Sequence, residues 1–252
     1  MIIGSMNHPG NDLIKEIKWI SDNFDFLDLT LELPKAHPDK INVEVVKALI
    51  EKKELPVIGH TAWYLPIGSP FSELRMYALK ELDKCAAVFE ELGVRKMNVH
   101  MDNSMAILKE ENIIKFNIWS LRRLISIGRH HNIDIMVENT PGIFSQPRVM
   151  EAVFRKVPKL LLHLDIGHAN IGGNAQLMLK KFSKRLVHIH ISDNHGRSDE
   201  HLALGKGSIN WSAMLGAVKK AGYDDTITLE VFTSPKERLN DKPKLRKLWD
   251  KL

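Results

Sequence analysis

The sequence predicts an α/β chain folded as a single (β/α)8 barrel spanning residues 1–252, and three observations predict it. Eight short apolar runs alternate with eight stretches that have the length and apolar spacing of helices, an order that calls for a parallel sheet. Six of the runs carry histidine, aspartate or glutamate at or near their ends. The length of 252 residues also matches the roughly 250 typical of one such barrel.

Taken in order, IIGSM (2–6) precedes a helical pattern at 11–23, FLDLTL (26–31) one at 42–53, and LPVIGH (55–60) one at 72–92. RKMNVH (95–100) precedes 112–131, IDIMVE (133–138) precedes 146–156, and KLLLHLD (159–165) precedes 174–183. LVHIHI (186–191) then leads to 210–221 and TITLEV (226–231) to 236–251. Each run is short and rich in β-branched or aliphatic residues, as buried parallel strands are; each following stretch repeats its apolar residues at helical spacing. No Pro/Gly/Ser-rich linker or shift of composition divides the chain.

Composition bounds the function. A hydrophobic share of 44% beside 27% charged residues is that of a soluble globular protein, and no apolar run approaches the ~18 residues of a membrane span. The N-terminus has no basic stretch followed by an apolar one, so a cytoplasmic location is expected. The single cysteine, Cys85, lies in a helical pattern, where a small buried hydrophobe is the expected role. A net charge of +5 permits a phosphate-bearing partner without requiring one, and the Lys-rich end from Lys236 to Lys251 reads as a solvated helix face.

The ends of the strands carry the chemistry. His60 closes the third run, His100 the fourth, Glu138 the fifth and Asp165 the sixth, while His190 and Glu230 stand near the ends of the seventh and eighth. Side chains alternate along a strand, so each of these shares a face with other polar or small residues: Asn98 with His100, His163 with Asp165, His188 with His190, Thr228 with Glu230. In a barrel wrapped by helices that face points inward, and all strand C-termini gather at one mouth. One such residue has ordinary explanations, a satisfied core histidine or a helix cap; six at equivalent positions do not.

Three loops add to the ring. DIGHAN puts His168 three residues past Asp165, and the polar segment after the seventh strand supplies Asp199 and His201. HTAWYLPIGSP lays Trp63 and Tyr64 beside His60, as an apolar wall for a substrate or as a packing cluster on the rim. His195 and Arg197 are further candidates, with exposure on the loop the expected state of His195. Imidazoles and carboxylates without a thiolate suit Zn²⁺, Mn²⁺, Co²⁺ or Fe²⁺, and a divalent cation lets the clustered carboxylates remain ionised together. His163, His188 and Asp193 are expected to orient such ligands by hydrogen bonding, with core packing the rival role for the two histidines.

The motifs GHTAWYLPIGSP, NVHMD, VENTPG, HLDIGHAN, HIHISDN, DEHLALGKG and LEV, in this order, resemble the xylose isomerase-like TIM barrel superfamily, which holds sugar and sugar-phosphate isomerases and epimerases and also endonuclease IV. The resemblance spans nearly the whole chain. In its isomerase branch it implies one divalent ion on Glu138, Asp165, His190 and Glu230, with the two glutamates moving a proton through an enediolate and His168 and Arg197 contacting substrate hydroxyls or phosphate. In the endonuclease IV pattern it implies three zinc ions. His60, His100 and Glu138 would hold one, Glu138, Asp165, His190 and Glu230 a second, and His168, Asp199 and His201 the third, for cleavage 5′ to an abasic site.

Two features depart from endonuclease IV: the loop LELPKAHPDK is short and lacks arginine, and NTPGIFS lacks the glycine-rich continuation after Glu138. The expectation is therefore a metal-dependent sugar or sugar-phosphate isomerase or epimerase holding one to three ions, with abasic-site DNA the partner only under the endonuclease alternative. No membrane contact is expected, and the sequence is compatible with an oligomer.

Overall fold

In the computed structural model, which describes residues 1–103 and 107–252, the eight expected strands form one closed parallel barrel in sequence order, β1-β2-β3-β4-β5-β6-β7-β8. The strands are β1 (Ile2–Met6), β2 (Phe26–Leu31), β3 (Val57–Thr61), β4 (Lys96–His100), β5 (Asp134–Glu138), β6 (Leu161–Asp165), β7 (Leu186–Ile191) and β8 (Thr226–Leu229). Nine α-helices accompany them among the described residues: α1 (Leu13–Asn23), α2 (Val43–Lys52), α3 (Ser72–Glu91), α4 (Glu110–His130), α5 (Pro147–Lys156), α6 (Ile166–Ile171), α7 (Ala175–Phe182), α8 (Trp211–Lys220) and α9 (Pro235–Asp250). None is long and apolar enough to cross a membrane.

Eight helices lie where helical spacing predicts them; α6 does not. The sequence reads DIGHAN as a loop, yet Asp165 caps a short helix by accepting the backbone N–H of His168. The cap draws His168 back over the end of β6, so the structure corrects the loop expectation while keeping the residue at the mouth.

The two faces of each strand pack into different compartments. Leu27, Leu29 and Leu31 of β2 belong to the large apolar layer between sheet and helices, whereas Phe26 joins Ile58 and Met136 in a small cluster inside the barrel. Gly4 makes room for that plug: a Cβ there would come within 2.4 Å of the Phe26 ring. Above the plug the interior turns polar. Asp28, Asn98, His163, His188 and Thr228 are fully buried beneath the mouth, and register places Thr30 beside His60, His100 beside Glu138, and Asp165 beside His190.

Asparagines continue the sheet past its last strand residues. Asn7 accepts the Thr30 N–H through Oδ1 (2.8 Å) and donates through Nδ2 to the Thr30 carbonyl (3.1 Å). Asn139 pairs in the same two-bonded way with the backbone of Asp165, at 2.8 and 2.9 Å. A side-chain amide has the donor and acceptor spacing of a peptide group, so each acts as one more rung of the ladder.

Candidate metal centre

All six strand-end residues meet at the C-terminal mouth, and each is at most 7% exposed. Glu138 is the hub. Its Oε2 accepts from Asn98 Nδ2 at 2.8 Å and lies 3.0 Å from His100 Nε2, 3.2 Å from His163 Nδ1 and 3.8 Å from His60 Nε2. Its Oε1 lies 3.0 Å from His168 Nδ1. Across the mouth Glu230, one residue beyond β8, places Oε2 3.2 Å from His190 Nδ1 and 3.7 Å from His201 Nδ1. Asp199 Oδ2 lies 2.9 Å from both His168 Nε2 and His201 Nε2, so His168 links the hub to the loop after β7.

Ligand atoms of His168, Asp199 and His201 fall within 4.8 Å of one another, as do those of Glu138, Asp165 and His168 and those of His60, Glu138 and His190. The nine residues expected from the sequence thus share one continuous site. His201 reaches it with a backbone φ of 46°, in the left-handed region that few non-glycine residues adopt. Such strain is tolerated where the position of the side chain matters.

These residues fit a divalent ion by a test independent of family. His60 Nε2, His100 Nδ1 and Asp165 Oδ2 are buried without a hydrogen-bond partner. A buried orphan of this kind costs roughly 1–3 kcal/mol, and three among the residues of one site are unusual unless a ligand completes some of them. Imidazole and carboxylate donors without sulfur suit Zn²⁺, Mn²⁺, Co²⁺ or Fe²⁺.

The charges are coupled. Burial disfavours the Glu138 carboxylate, but the charges and hydrogen bonds of His100 and His163 outweigh it and hold the group well below the usual range. Glu230 is likewise penalised by burial and drawn down to about 2 by His190 and His201. Asp165 goes the other way. Burial, together with repulsion from Glu230 and Glu138, outweighs the attraction of His168 and pushes it up to about 7. A divalent ion among these groups would favour the ionised form of Asp165.

A cavity of about 1050 Å³ opens above this ring, lined by Asn7, Glu32, Trp63, Tyr64, Phe232 and Arg238 among others. Trp63 and Tyr64 stand on its rim, exposed and set edge to face at 5.8 Å. Arg197 is exposed and outside the lining, so the structure does not bring it to the mouth, and His195 is exposed beside Glu200.

Asp193 is a correction. Its oxygens accept from the backbone N–H groups of Asn194, Gly205 and Ile209 and from the Trp211 indole, so it fastens the β7–α8 loop and orients no ligand. Sequence reading missed Asp28, Glu32 and Phe232. For Asp28 the signal was present, because it shares the inward face of FLDLTL with Thr30.

The sequence profile of the xylose isomerase-like TIM barrel family matches residues 18–249. An uncharacterised protein of Methanocaldococcus jannaschii is 25% identical over 82% of this chain and 75% of its own. A probable endonuclease 4 of Aquifex aeolicus is 27% identical over 95% of this chain and 94% of its own. Among solved structures, a D-tagatose 3-epimerase-like protein superposes with a TM-score of 0.88 at 23% identity, covering 99% of this chain and 97% of that one. The profile spans the barrel from α1 into α9, and on that ground the chain belongs to the xylose isomerase-like TIM barrel family.

Proposed function

We propose that the protein is a divalent-metal-dependent isomerase or epimerase of a neutral sugar. One observation carries the choice of substrate. The lining of the mouth contains no lysine among the described residues and a single arginine, Arg238, whose Nη1 is engaged by the Ser5 hydroxyl and the Met6 carbonyl. A phosphorylated or polyanionic substrate calls for free cationic donors, whereas sugar hydroxyls pair with the Asn, Thr, Asp and Glu side chains present. The resemblance to a D-tagatose 3-epimerase-like protein fits this reading.

Glu138, Asp165, His190 and Glu230 would hold the ion, which would fix the sugar's carbonyl and hydroxyl oxygens and stabilise negative charge developing there. Glu138 and Glu230 stand on β5 and just beyond β8, at separate points of the ring, where the two carboxylates would move a proton off and on the carbon next to the carbonyl. Trp63 and Tyr64 would cover the apolar face of the sugar.

The test is exchange with deuterated solvent of the proton next to the carbonyl, across neutral ketoses with Mn²⁺ or Co²⁺ present. Exchange is expected for at least one sugar, and its absence across a broad panel would refute the proposal. A second reading, zinc-dependent phosphodiester hydrolysis, is favoured by the convergence of all nine donors and by the Aquifex relative. It predicts about three zinc ions per chain and nicking of a duplex that carries one abasic analogue. An intact duplex at high enzyme excess would remove it.

A further inference from the structure

Asp28, midway along β2, lies under the ring of candidate ligands and is in none of the three groupings described above. Its carboxylate is fully buried. One oxygen, Oδ2, receives three donors: His190 Nε2 at 2.6 Å, Thr228 Oγ1 at 2.8 Å and His188 Nε2 at 3.1 Å. His188 is held in turn from its other side, where Nδ1 lies 2.8 Å from the Thr226 hydroxyl. His190 differs. Its second nitrogen, Nδ1, faces upward into the mouth, 3.2 Å from Glu230 Oε2.

An ionised carboxylate only accepts hydrogen bonds, so the 2.6 Å contact places a proton on His190 Nε2. A neutral imidazole carries one proton, and the lone pair left to bind a cation is then on Nδ1, the nitrogen beside Glu230. We infer that Asp28 is the positioning residue of the metal centre: by holding the Nε2 proton of His190 it fixes both the tautomer and the ring plane in which Nδ1 meets the ion. Thr228 and His188 aim the Asp28 carboxylate. The arrangement is a carboxylate–histidine–metal relay whose carboxylate comes from a strand that supplies none of the nine ligand candidates. It rests on the reading of the mouth as a cation site, and extends it to one atom of one ligand.

The experiment uses the full chain and zinc alone. In the zinc-loaded protein, long-range ¹⁵N–¹H spectra are expected to show the His190 resonance, identified by its loss in His190→Gln, protonated at Nε2 and metal-bound at Nδ1. In Asp28→Asn, competition with a chromophoric chelator is expected to show zinc affinity falling about 10–100-fold, with circular dichroism unchanged. Thr228→Val, which leaves Asp28 both imidazole donors, is expected to keep most of the affinity. Zinc on Nε2 in the wild type would overturn the assignment even if the Asp28 variant failed to fold. Equal affinity in wild type and Asp28→Asn would overturn it too. A wild type that takes up neither zinc nor Mn²⁺ nor Co²⁺ overturns both this inference and the proposed function. Zinc binding that depends on Asp28, without proton exchange on any sugar, supports the inference and removes the function alone.

Discussion

The pair formed by His201 and Asp199 makes a quantitative prediction about the metal-free protein. The His201 side chain is 18% exposed and lies 2.9 Å from Asp199 Oδ2. Burial alone would discharge this imidazole, but the hydrogen bond to Asp199 and the charges of Glu230, Asp199 and Asp165 raise it from 6.5 to about 9. A histidine raised on folding stabilises the native state fully below its unfolded value. The contribution fades as pH climbs from about 6.5 to about 9. At ~1.36 kcal/mol per unit the rise is worth about 3 kcal/mol, and the lowered Asp199 reports the same ion pair, so the two are not added.

Urea denaturation of chelator-treated protein between pH 6 and 9.5 should therefore show a loss of which His201 contributes on the order of 3 kcal/mol, steepest above pH 7. His201→Gln should flatten that part of the curve. With zinc present the slope should shrink as well, because ligation deprotonates the imidazole and releases a proton on binding. An unchanged pH slope in His201→Gln would refute the reasoning, for it would show that the imidazole titrates alike in both states.

Three further outcomes follow from the geometry. Glu138→Gln and Glu230→Gln should each lower turnover by at least about 10²–10⁴-fold while the far-ultraviolet spectrum stays that of the wild type; near-normal kcat in either variant contradicts the proton-transfer role. Asn139→Ala leaves the buried N–H and carbonyl of Asp165 without their amide partner, at roughly 1–3 kcal/mol each; a urea midpoint matching the wild type would refute the rung assignment. Gly4→Ala should cost about 1–3 kcal/mol by driving a methyl into the Phe26 ring, and Phe26→Leu in the same chain should recover part of it; additive losses would show that the two do not touch.

Much of this was legible in the sequence, because parallel strands and packed helices carry their periods locally. FLDLTL, LVHIHI and the helical run at 72–92 fell within a residue of their observed bounds, and period 2 alone aimed His60, His100, Glu138, Asp165 and His190 inward. What escaped needed distance in three dimensions. The carboxylate of Asp28 meets His190 across 162 positions of chain, and no local pattern reports such a pairing. Asp193 misled for the opposite reason: its partners are the N–H groups of its own loop, a turn chemistry that looks in sequence like one more acid near a cluster. Helix α6 was hidden because six residues are too few to show a period.

The amide rungs at Asn7 and Asn139 bear on how the centre is filled. They tie Thr30 and Asp165 to neighbouring strands through the protein alone, so under the proposed function the socket would keep its outline when a chelator empties it. A vessel shaped in advance by its walls accepts whichever first-row ion of suitable charge and size is offered, and affinity then follows the general order for such metals. The occupant inside a living cell would accordingly be chosen by supply, and growth on different metal salts would change the cargo while leaving the container as it was.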